Sequence, residues 1–322
     1  MFSFKSFTKF FTAAVTMFAV TAMVTGCGNQ DEQGKRFINI ATGGTAGTYY
    51  PVGGAIAEII NKNMPDVNAS AQSTSASVAN INMLKDGQVE LAIIQNDIAF
   101  YASNGTEMFA NNRVQDLRGL ATLYPETCQF VTLASSGITD ISALKGKKVA
   151  VGAAGSGAEA NARQILESYG ITYDDVEEQY LSFAEGAAAL KDGVVDAAFV
   201  TAGAPTASIQ DVATQNPIRI LSIGDEQISI LTSKYPYYTK TVIDAGTYTG
   251  FDESAQSVSV MAMLVATNRM SDDDGYNITK ALFSNTDRLE AAHAVGKFIK
   301  KETARDGMPI GMNEGASKFF NE

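Results

Sequence analysis

The chain has 322 residues, of which 45% are hydrophobic and 18% are charged, a composition ordinary for a globular protein of one or two domains. Its formal net charge of −11 argues against nucleic acid as a partner. With two cysteines and one histidine, the sequence offers no disulfide framework, and we expect no metal site and no cofactor.

Residues 1–26 have the pattern of an export signal. Lys5 and Lys9 form a basic start without acidic residues, and an apolar stretch interrupted by threonines follows. The segment ends in VTGC, which looks like a bacterial lipobox in which Cys27 is lipidated and becomes the first residue of the mature protein. Plain secretion is the alternative. We therefore expect an exported protein, periplasmic or on the cell surface, that touches the membrane only through a lipid on Cys27, with residues 27–36 as a tether.

The first regular element is predicted at residues 37–41, a short apolar run typical of a buried strand. Residues 42–48 (TGGTAGT) form a turn rich in glycine and threonine, and residues 52–60 carry isoleucines at helical spacing. The turn thus lies where a strand ends and a helix begins. Unpaired N–H groups and the helix dipole favour a bound carboxylate or phosphate there. An ordinary capped helix start is the alternative.

The same order of elements recurs later in the chain. Residues 147–151 read as a strand, 152–157 as a glycine-rich turn and 158–169 as a helix. The segment LKDGQVELA at 84–92 is matched by LKDGVVDAA at 190–198. Strands that alternate with helices predict parallel sheets with right-handed crossovers. We therefore predict two similar α/β lobes.

Two long apolar segments, at 123–134 and 257–267, are strand-like and suited to cross between these lobes. Ligands of parallel sheets lie beyond the carboxyl ends of the strands, so we expect the lobes to face each other across a cleft. One wall of this cleft would consist of residues 42–48 and 95–97, and the other of residues 152–157 and 201–203.

Several blocks of the sequence resemble the TAXI family, the solute-binding proteins of TRAP-type transporters. These blocks are ATGGTAGTYYPVGGAIA (41–57), LKDGQVELAIIQND (84–97), LYPE (123–126), LKGKKVAVGAAGSGAE (144–159), YLSFAEGAAALKDGVVDAAFV (180–200), AGTYTG (245–250) and ITKALFSN (278–285). They are spread over nearly all of residues 37–322. One departure is PIGMNEGA at 309–316, where Asn313 and Glu314 replace a frequent His-Pro pair, and we expect this segment to serve the packing of the last helix.

The resemblance implies an α/β periplasmic-binding-protein fold of type II, in which two Rossmann-like lobes are joined by two crossover strands. Residues 37–128 with 251–322 would form lobe I, and residues 129–250 would form lobe II. It also implies that the protein is not an enzyme but an extracytoplasmic solute-binding protein of a TRAP, TAXI-type secondary transporter. Such a protein closes on a small carboxylate or amino acid, such as glutamate, glutamine or 2-oxoglutarate, and delivers it to the membrane permease.

The candidate ligand-binding residues come from both lobes. Gly44 and Thr45 are the expected donors from lobe I, and Ser156 and Gly157 are their counterparts in lobe II. Asp97 is a candidate partner for an ammonium group if the ligand is an amino acid, with helix capping as its alternative role. The remaining candidates lie at strand ends or helix starts, or wall the cleft: Tyr49, Tyr50, Gln95, Asn96, Tyr124, Glu185, Thr201, Ala202 and Gly203. Tyr50 has packing as its alternative role, and Glu185 has that of a solvated acid in a first helical turn.

An enzyme that binds a nucleotide is the alternative function. Residues 155–160 (GSGAEA) fit a G-x-G-x-x-A fingerprint, but the acidic residue that should end the next strand is represented by Asp174, which precedes it. No P-loop lysine follows either glycine-rich turn, and His293 lies in a helix-like stretch of a sequence without a nucleophile elbow. A surface lipoprotein with an unused cleft is a third alternative.

Overall fold

The structure, a computed structural model, describes residues 34–322, so the predicted export signal and Cys27 lie outside the described residues. Strands and helices alternate along the described chain. The strands are β1 (Arg36–Ala41), β2 (Val67–Gln72), β3 (Leu91–Gln95), β4 (Leu117–Leu133), β5 (Lys148–Ala150), β6 (Glu177–Gln179), β7 (Ala197–Ala202), β8 (Ile218–Leu221), β9 (Thr239–Ile243) and β10 (Ala255–Thr267). The α-helices are α1 (Tyr49–Asn63), α2 (Ser77–Lys85), α3 (Asn96–Asn104), α4 (Gly157–Ser168), α5 (Phe183–Lys191), α6 (Ala207–Gln215), α7 (Asp225–Lys234), α8 (Asp272–Phe283), α9 (Thr286–Ala292) and α10 (Glu314–Phe320).

These ten strands form one sheet in the order β2-β1-β3-β10-β4-β7-β5-β6, with β8 beside β4 and β9 beside β10. Strand β1 pairs in parallel with β2 and β3, and β5 pairs in parallel with β6 and β7. We call these two sets the β1 group and the β5 group. The long strands β4 and β10 run antiparallel to their neighbours and join the groups. This topology confirms the predicted α/β fold, in which two long strands connect two similar parallel units.

Both faces of the sheet are covered, which is why the strands read as continuous apolar runs rather than as alternating ones. Ile93 and Ile94 are neighbours on β3, and successive side chains of a strand point to opposite faces. The two residues belong to different hydrophobic clusters, and both are fully buried. Strand β4 contributes to both clusters and, through Val131, to a third.

Some element bounds differ from the sequence predictions. Strand β6 is short and ends at Gln179, and Ser182 and Glu185 form a reciprocal capping box that starts α5 at Phe183. Strand β4 begins at Leu117, earlier than the predicted crossover. Segment 309–316, which differs from the TAXI-family pattern, contains the N-cap of α10. There the side chain of Asn313 accepts a hydrogen bond from the N–H of Ala316 at 3.1 Å.

Among the helices of residues 34–322, none combines the length and the apolar character that crossing a membrane requires.

Candidate ligand-binding site

A cavity of about 60 Å³ lies between the β1 group and the β5 group, which is room for a few water molecules or a small organic group. Its walls come from the turns after β1 and β5, from the ends of β3 and β7, from β4 and from the starts of several helices. The lining residues are Gly43, Gly44, Gly47, Thr48, Tyr49, Thr74, Ser75, Ala76, Gln95, Glu126, Ala153, Ser156, Ala158, Ser182, Phe183, Thr201 and Ala202.

Helices α1, α2, α4 and α5 all begin at this cavity. A helix start presents unpaired N–H groups and positive partial charge. In α4 and α5 the side chains of Ser156 and Ser182 cap the helix by accepting a hydrogen bond from the third residue. Neither α1 nor α2 has a side-chain cap, and neither has an acidic residue in its first turn. The starts of α1 and α2 are therefore the electropositive parts of the cavity wall.

The residue before α2, Ala76, has an unusual backbone conformation, with φ of 71° and ψ of −146°. A side chain with a Cβ rarely adopts this region, and such strain is concentrated at functional sites. Ala76 lines the cavity directly beside the uncapped start of α2. The turn therefore holds the helix start toward the cavity at some conformational cost.

The acidic side chain of the cavity is that of Glu126 on β4. The hydroxyl of Tyr49 donates a hydrogen bond to its Oε2 at 2.8 Å. Both residues are buried, with 2% of Glu126 and 7% of Tyr49 exposed. Burial raises the pKa of the Glu126 carboxyl well above its usual range, and the Tyr49 hydrogen bond opposes this rise only in part. Within the described residues, no Lys, Arg or His side chain lines the cavity.

Hydrogen bonds beside this cavity join the turns and helix starts of the β1 group to those of the β5 group. The Thr48 hydroxyl donates to the carbonyl of Gly203 at 3.1 Å. Two backbone hydrogen bonds also cross, from Ser208 N to Ala46 O and from Ala79 N to Gly155 O, each at 3.2 Å. The approach is so close that a Cβ on Gly157 would lie 1.9 Å from Oε1 of Gln95. The turns and helix starts that follow the two groups of strands are thus in contact with each other.

A second set of buried polar side chains lies beside the cavity and connects α3 with α4. We call it the polar cluster; it consists of Gln95, Asp97, Tyr101, Asn161, Gln164 and Tyr238. Asn161 is its centre: its Nδ2 donates to Oδ2 of Asp97 at 2.8 Å and to the hydroxyl of Tyr238 at 2.7 Å, and its Oδ1 accepts from Gln95. Burial raises the pKa of Asp97 to about 6, against its hydrogen bonds from Asn161 and from backbone N–H groups.

Of the residues predicted from the sequence, these line the cavity: Gly44, Tyr49, Gln95, Ser156, Thr201 and Ala202. Gly157 and Gly203 lie just behind its wall, against Gln95 and Thr48 respectively. The two glycine-bearing turns, from opposite groups of the sheet, therefore meet at one cavity, as the duplicated strand–turn–helix pattern predicts.

Other predicted residues lie elsewhere. Thr45 and Tyr50 are exposed, and Tyr124 is buried in the core on β4. Asn96 binds backbone instead of the cavity, since its Nδ2 donates to Gly307 O and its Oδ1 accepts from Met261 N. Asp97 belongs to the polar cluster, and Glu185 is an exposed capping residue that accepts from Ser182. In each case the side chain is occupied by packing, by capping or by a nearby polar group, or it points to solvent.

The sequence analysis assigned no role to Glu126, although a signal exists. Glu126 is the one acidic residue in the long apolar strand β4, in which 14 of the 17 residues are buried and the other three are half-buried. An acid at such a position must be partnered or functional. The residues Thr74, Ser75, Ser182 and Phe183 carry no comparable signal, since small residues and a single aromatic at helix starts are common.

Comparison with known proteins agrees with this architecture. The NMT1-like family matches residues 40–322. The periplasmic aliphatic sulphonate binding protein SsuA of Escherichia coli is 17% identical with a TM-score of 0.51, over 88% of this chain and 78% of that chain. The alkanesulfonate-binding protein SsuA of Xanthomonas axonopodis pv. citri, bound to MOPS, is 16% identical with a TM-score of 0.52, over 88% and 83% of the two chains. A protein of Bordetella bronchiseptica RB50 is 17% identical with a TM-score of 0.55, over 89% of both. The fold is therefore shared with two-lobed periplasmic solute-binding proteins.

Proposed function

The chain belongs to the NMT1-like family, and from this premise we propose that it is an extracytoplasmic solute-binding protein that captures a small carboxylate or amino acid. One observation carries the proposal: a small cavity, enclosed between the two parallel groups of a solute-binding-protein fold, meets four helix starts. Recognition of an anionic group by helix starts needs no basic side chain. Among the residues that the structure describes, the cavity indeed has none.

The ligand class follows from the uncapped starts of α1 and α2. Their N–H groups suit a carboxylate, and glutamate, glutamine and 2-oxoglutarate are the candidates. The two named neighbours are binding proteins for sulfonates, which are also anions. A sulfonate is therefore the comparison compound in the screen below.

Closure of two lobes would enclose the ligand, with residues 37–128 and 251–322 as one lobe and 129–250 as the other. The pairing of β4 supports the first boundary: β4 pairs with β10 up to Thr127 and with β7 from Thr127 onward. Strands β4 and β10 would then act as the flexible connections, because they alone among the strands of residues 34–322 run through both parts of the sheet. Rotation about such connections is the usual way in which these folds close.

The membrane partner in this proposal is the permease of a TRAP-type secondary transporter of the TAXI kind. The resemblance of blocks such as 41–57 and 84–97 supports it. Export and a lipid anchor at Cys27 are part of the same proposal, and they place the protein where it meets solutes before the permease does.

The direct test is mass spectrometry of any small molecule that co-purifies with the protein, followed by a thermal-shift screen. Glutamate, glutamine, 2-oxoglutarate, an alkanesulfonate and NAD are the compounds. We expect a carboxylate or amino acid to raise the unfolding temperature, because a ligand at a hundred times its Kd stabilises the native state by about 2.7 kcal/mol.

A matched pair of variants controls this screen. Ala153 lines the cavity and Ala154 is exposed beside it, so Ala153→Leu is expected to abolish the shift and Ala154→Leu to retain it. Tight binding of NAD would instead favour the alternative of a nucleotide-binding enzyme. If the wild-type protein binds none of the compounds, the alternative of a surface lipoprotein with an unused cleft is favoured.

A further inference from the structure

Glu126 is a buried carboxyl group whose hydrogen bonding is incomplete. A carboxylate offers about four acceptor positions. Within residues 34–322 the structure gives Glu126 one hydrogen bond, from Tyr49 to Oε2, and no ion pair. Burying a charge costs several kcal/mol unless a partner compensates it. The described part of the chain therefore places a carboxyl group in the cavity without a cation or further hydrogen-bond donors to stabilise its charged form.

The contrast with Asp97 shows that this is particular to the cavity. Glu126 and Asp97 are the buried acids of the described residues. Asp97 accepts hydrogen bonds from Asn161 Nδ2 and from the N–H of Ile98, and it lies outside the cavity lining. Glu126 lines the cavity and keeps its second oxygen, Oε1, without a partner among those residues. A ligand bound in the cavity can supply the missing partner.

Tyr49 connects this acid to the anion-binding side of the cavity. It is the first residue of α1, so its backbone belongs to the uncapped helix start, while its hydroxyl holds Glu126. The same cavity thus presents an electropositive wall and an acidic one within the length of one side chain. A molecule that carries both a carboxylate and an ammonium group is complementary to the two walls together.

We propose that Glu126 binds the ammonium group of the ligand, so that the protein takes an amino acid in preference to a keto acid such as 2-oxoglutarate. The inference rests on the proposed function and names the ligand class within it. A charge-assisted hydrogen bond from an ammonium group to Oε1 would complete the partners of the carboxylate. A keto acid brings only acceptors and negative charge to the same place.

The protonation of Glu126 gives this proposal a second readout. The titratable groups that interact with Glu126 are Tyr49, Tyr124, Asp97 and Cys128, and none of them is cationic. Burial raises the pKa of the Glu126 carboxyl well above its usual range, which favours its neutral form in the ligand-free protein. An ammonium ligand favours the carboxylate instead, so we expect binding to be accompanied by release of up to one proton.

The test is isothermal titration of ligand-free wild-type protein with L-glutamate, L-glutamine and 2-oxoglutarate, in two buffers of different ionisation enthalpy. We expect one of the amino acids to bind at least tenfold more tightly than 2-oxoglutarate, with release of up to one proton per ligand. In Glu126→Gln the amino acid should lose at least about thirtyfold in affinity, about 2 kcal/mol. The affinity for 2-oxoglutarate should stay the same or improve.

Two controls keep the result interpretable. Glu253→Gln removes an exposed acid outside the cavity and should bind as the wild type does. The glutamine side chain of the variant has the same shape as that of Glu126, and its amide oxygen can accept the hydrogen bond from Tyr49. The unfolding temperature of ligand-free Glu126→Gln should therefore equal or exceed that of the wild type. An unfolding temperature well below it would mean that Glu126 is a structural residue, which overturns the proposal.

The remaining outcomes separate the two proposals. Binding of 2-oxoglutarate as tight as that of the amino acids, or an unchanged preference in Glu126→Gln, overturns the role of Glu126 and leaves the solute-binding function standing. Binding of none of the three compounds to the wild type overturns the proposed ligand range, and the ammonium role with it.

Discussion

The cavity and the polar cluster lie side by side between the same two groups of strands, and each holds one buried carboxyl group. In the polar cluster, Asp97 accepts hydrogen bonds from Asn161 and from backbone, and Asn161 is itself satisfied by Gln95 and Tyr238. In the cavity, Glu126 accepts one hydrogen bond from the described part of the chain, donated by Tyr49, and the starts of α1 and α2 have no side-chain cap. The cluster is complete without a ligand, whereas the cavity is not.

This difference separates structural polar groups from functional ones. Unpartnered buried polar groups are expensive, so a folded protein satisfies most of them internally. The polar cluster follows that rule and connects α3 with α4 across the two groups of strands. The cavity departs from it at Glu126, and the starts of α1 and α2 beside it have no side-chain cap. Gln95 belongs to both regions, since it lines the cavity and donates to Asn161.

Removal of Asn161, the centre of the polar cluster, should destabilise the protein strongly. Asn161→Ala leaves Asp97, Gln95 and Tyr238 buried with fewer partners. We expect the free energy of unfolding without ligand to fall by about 4 kcal/mol, since each unsatisfied group costs ~1–3 kcal/mol. Urea denaturation measures this. Asn104→Ala, which removes an exposed side chain of α3, should change the same quantity by less than about 1 kcal/mol. An equal effect of the two variants would show that the cluster contributes little.

The burial of Asp97 should make the stability of the protein depend on pH. Its pKa is raised from the ordinary 3.8 to about 6, so the folded protein binds this proton more tightly than the unfolded chain does. The contribution is fully present below pH 3.8 and is lost as the pH rises to about 6, a change of about 3 kcal/mol. Asp97→Asn does not titrate, so the stability of the wild type minus that of Asp97→Asn should fall over this window. Urea denaturation of both proteins at several pH values measures it, and a difference that grows with pH would contradict a buried, neutral Asp97.

A smaller effect is expected of Tyr49→Phe, which removes the one hydrogen bond that residues 34–322 give to Glu126. One neutral hydrogen bond contributes about 1 kcal/mol, so the free energy of unfolding without ligand should fall by about that amount. Urea denaturation alongside Asn161→Ala gives the comparison directly. A loss as large as that of Asn161→Ala would mean that the cavity is as fully integrated as the polar cluster, and the contrast between the two regions would fail.

Much of the fold was accessible from the sequence. The glycine-rich turns at 42–48 and 152–157 lie where a strand ends and a helix starts, as their patterns predict, and they meet at one cavity. Local chemistry decides such features: apolar runs bury, and glycine and threonine mark the turns. The roles of Asp97 and Glu185 were less accessible, because an acid near a helix start is equally suited to capping, to a cluster or to a ligand.

By itself, the sequence determined the duplicated strand–turn–helix units, the α/β class and the two long strands, because these depend on periodicity and turn chemistry along the chain. Which polar groups face the cavity depends instead on contacts between elements that are far apart in the chain. Whether Asp97 or Glu126 meets a ligand depends on partners distant in the chain, Asn161 for one and Tyr49 for the other. A carboxyl group looks the same in the sequence whether it is satisfied or not, and it is the long-range packing of α1, α4 and β4 that settles its hydrogen bonds.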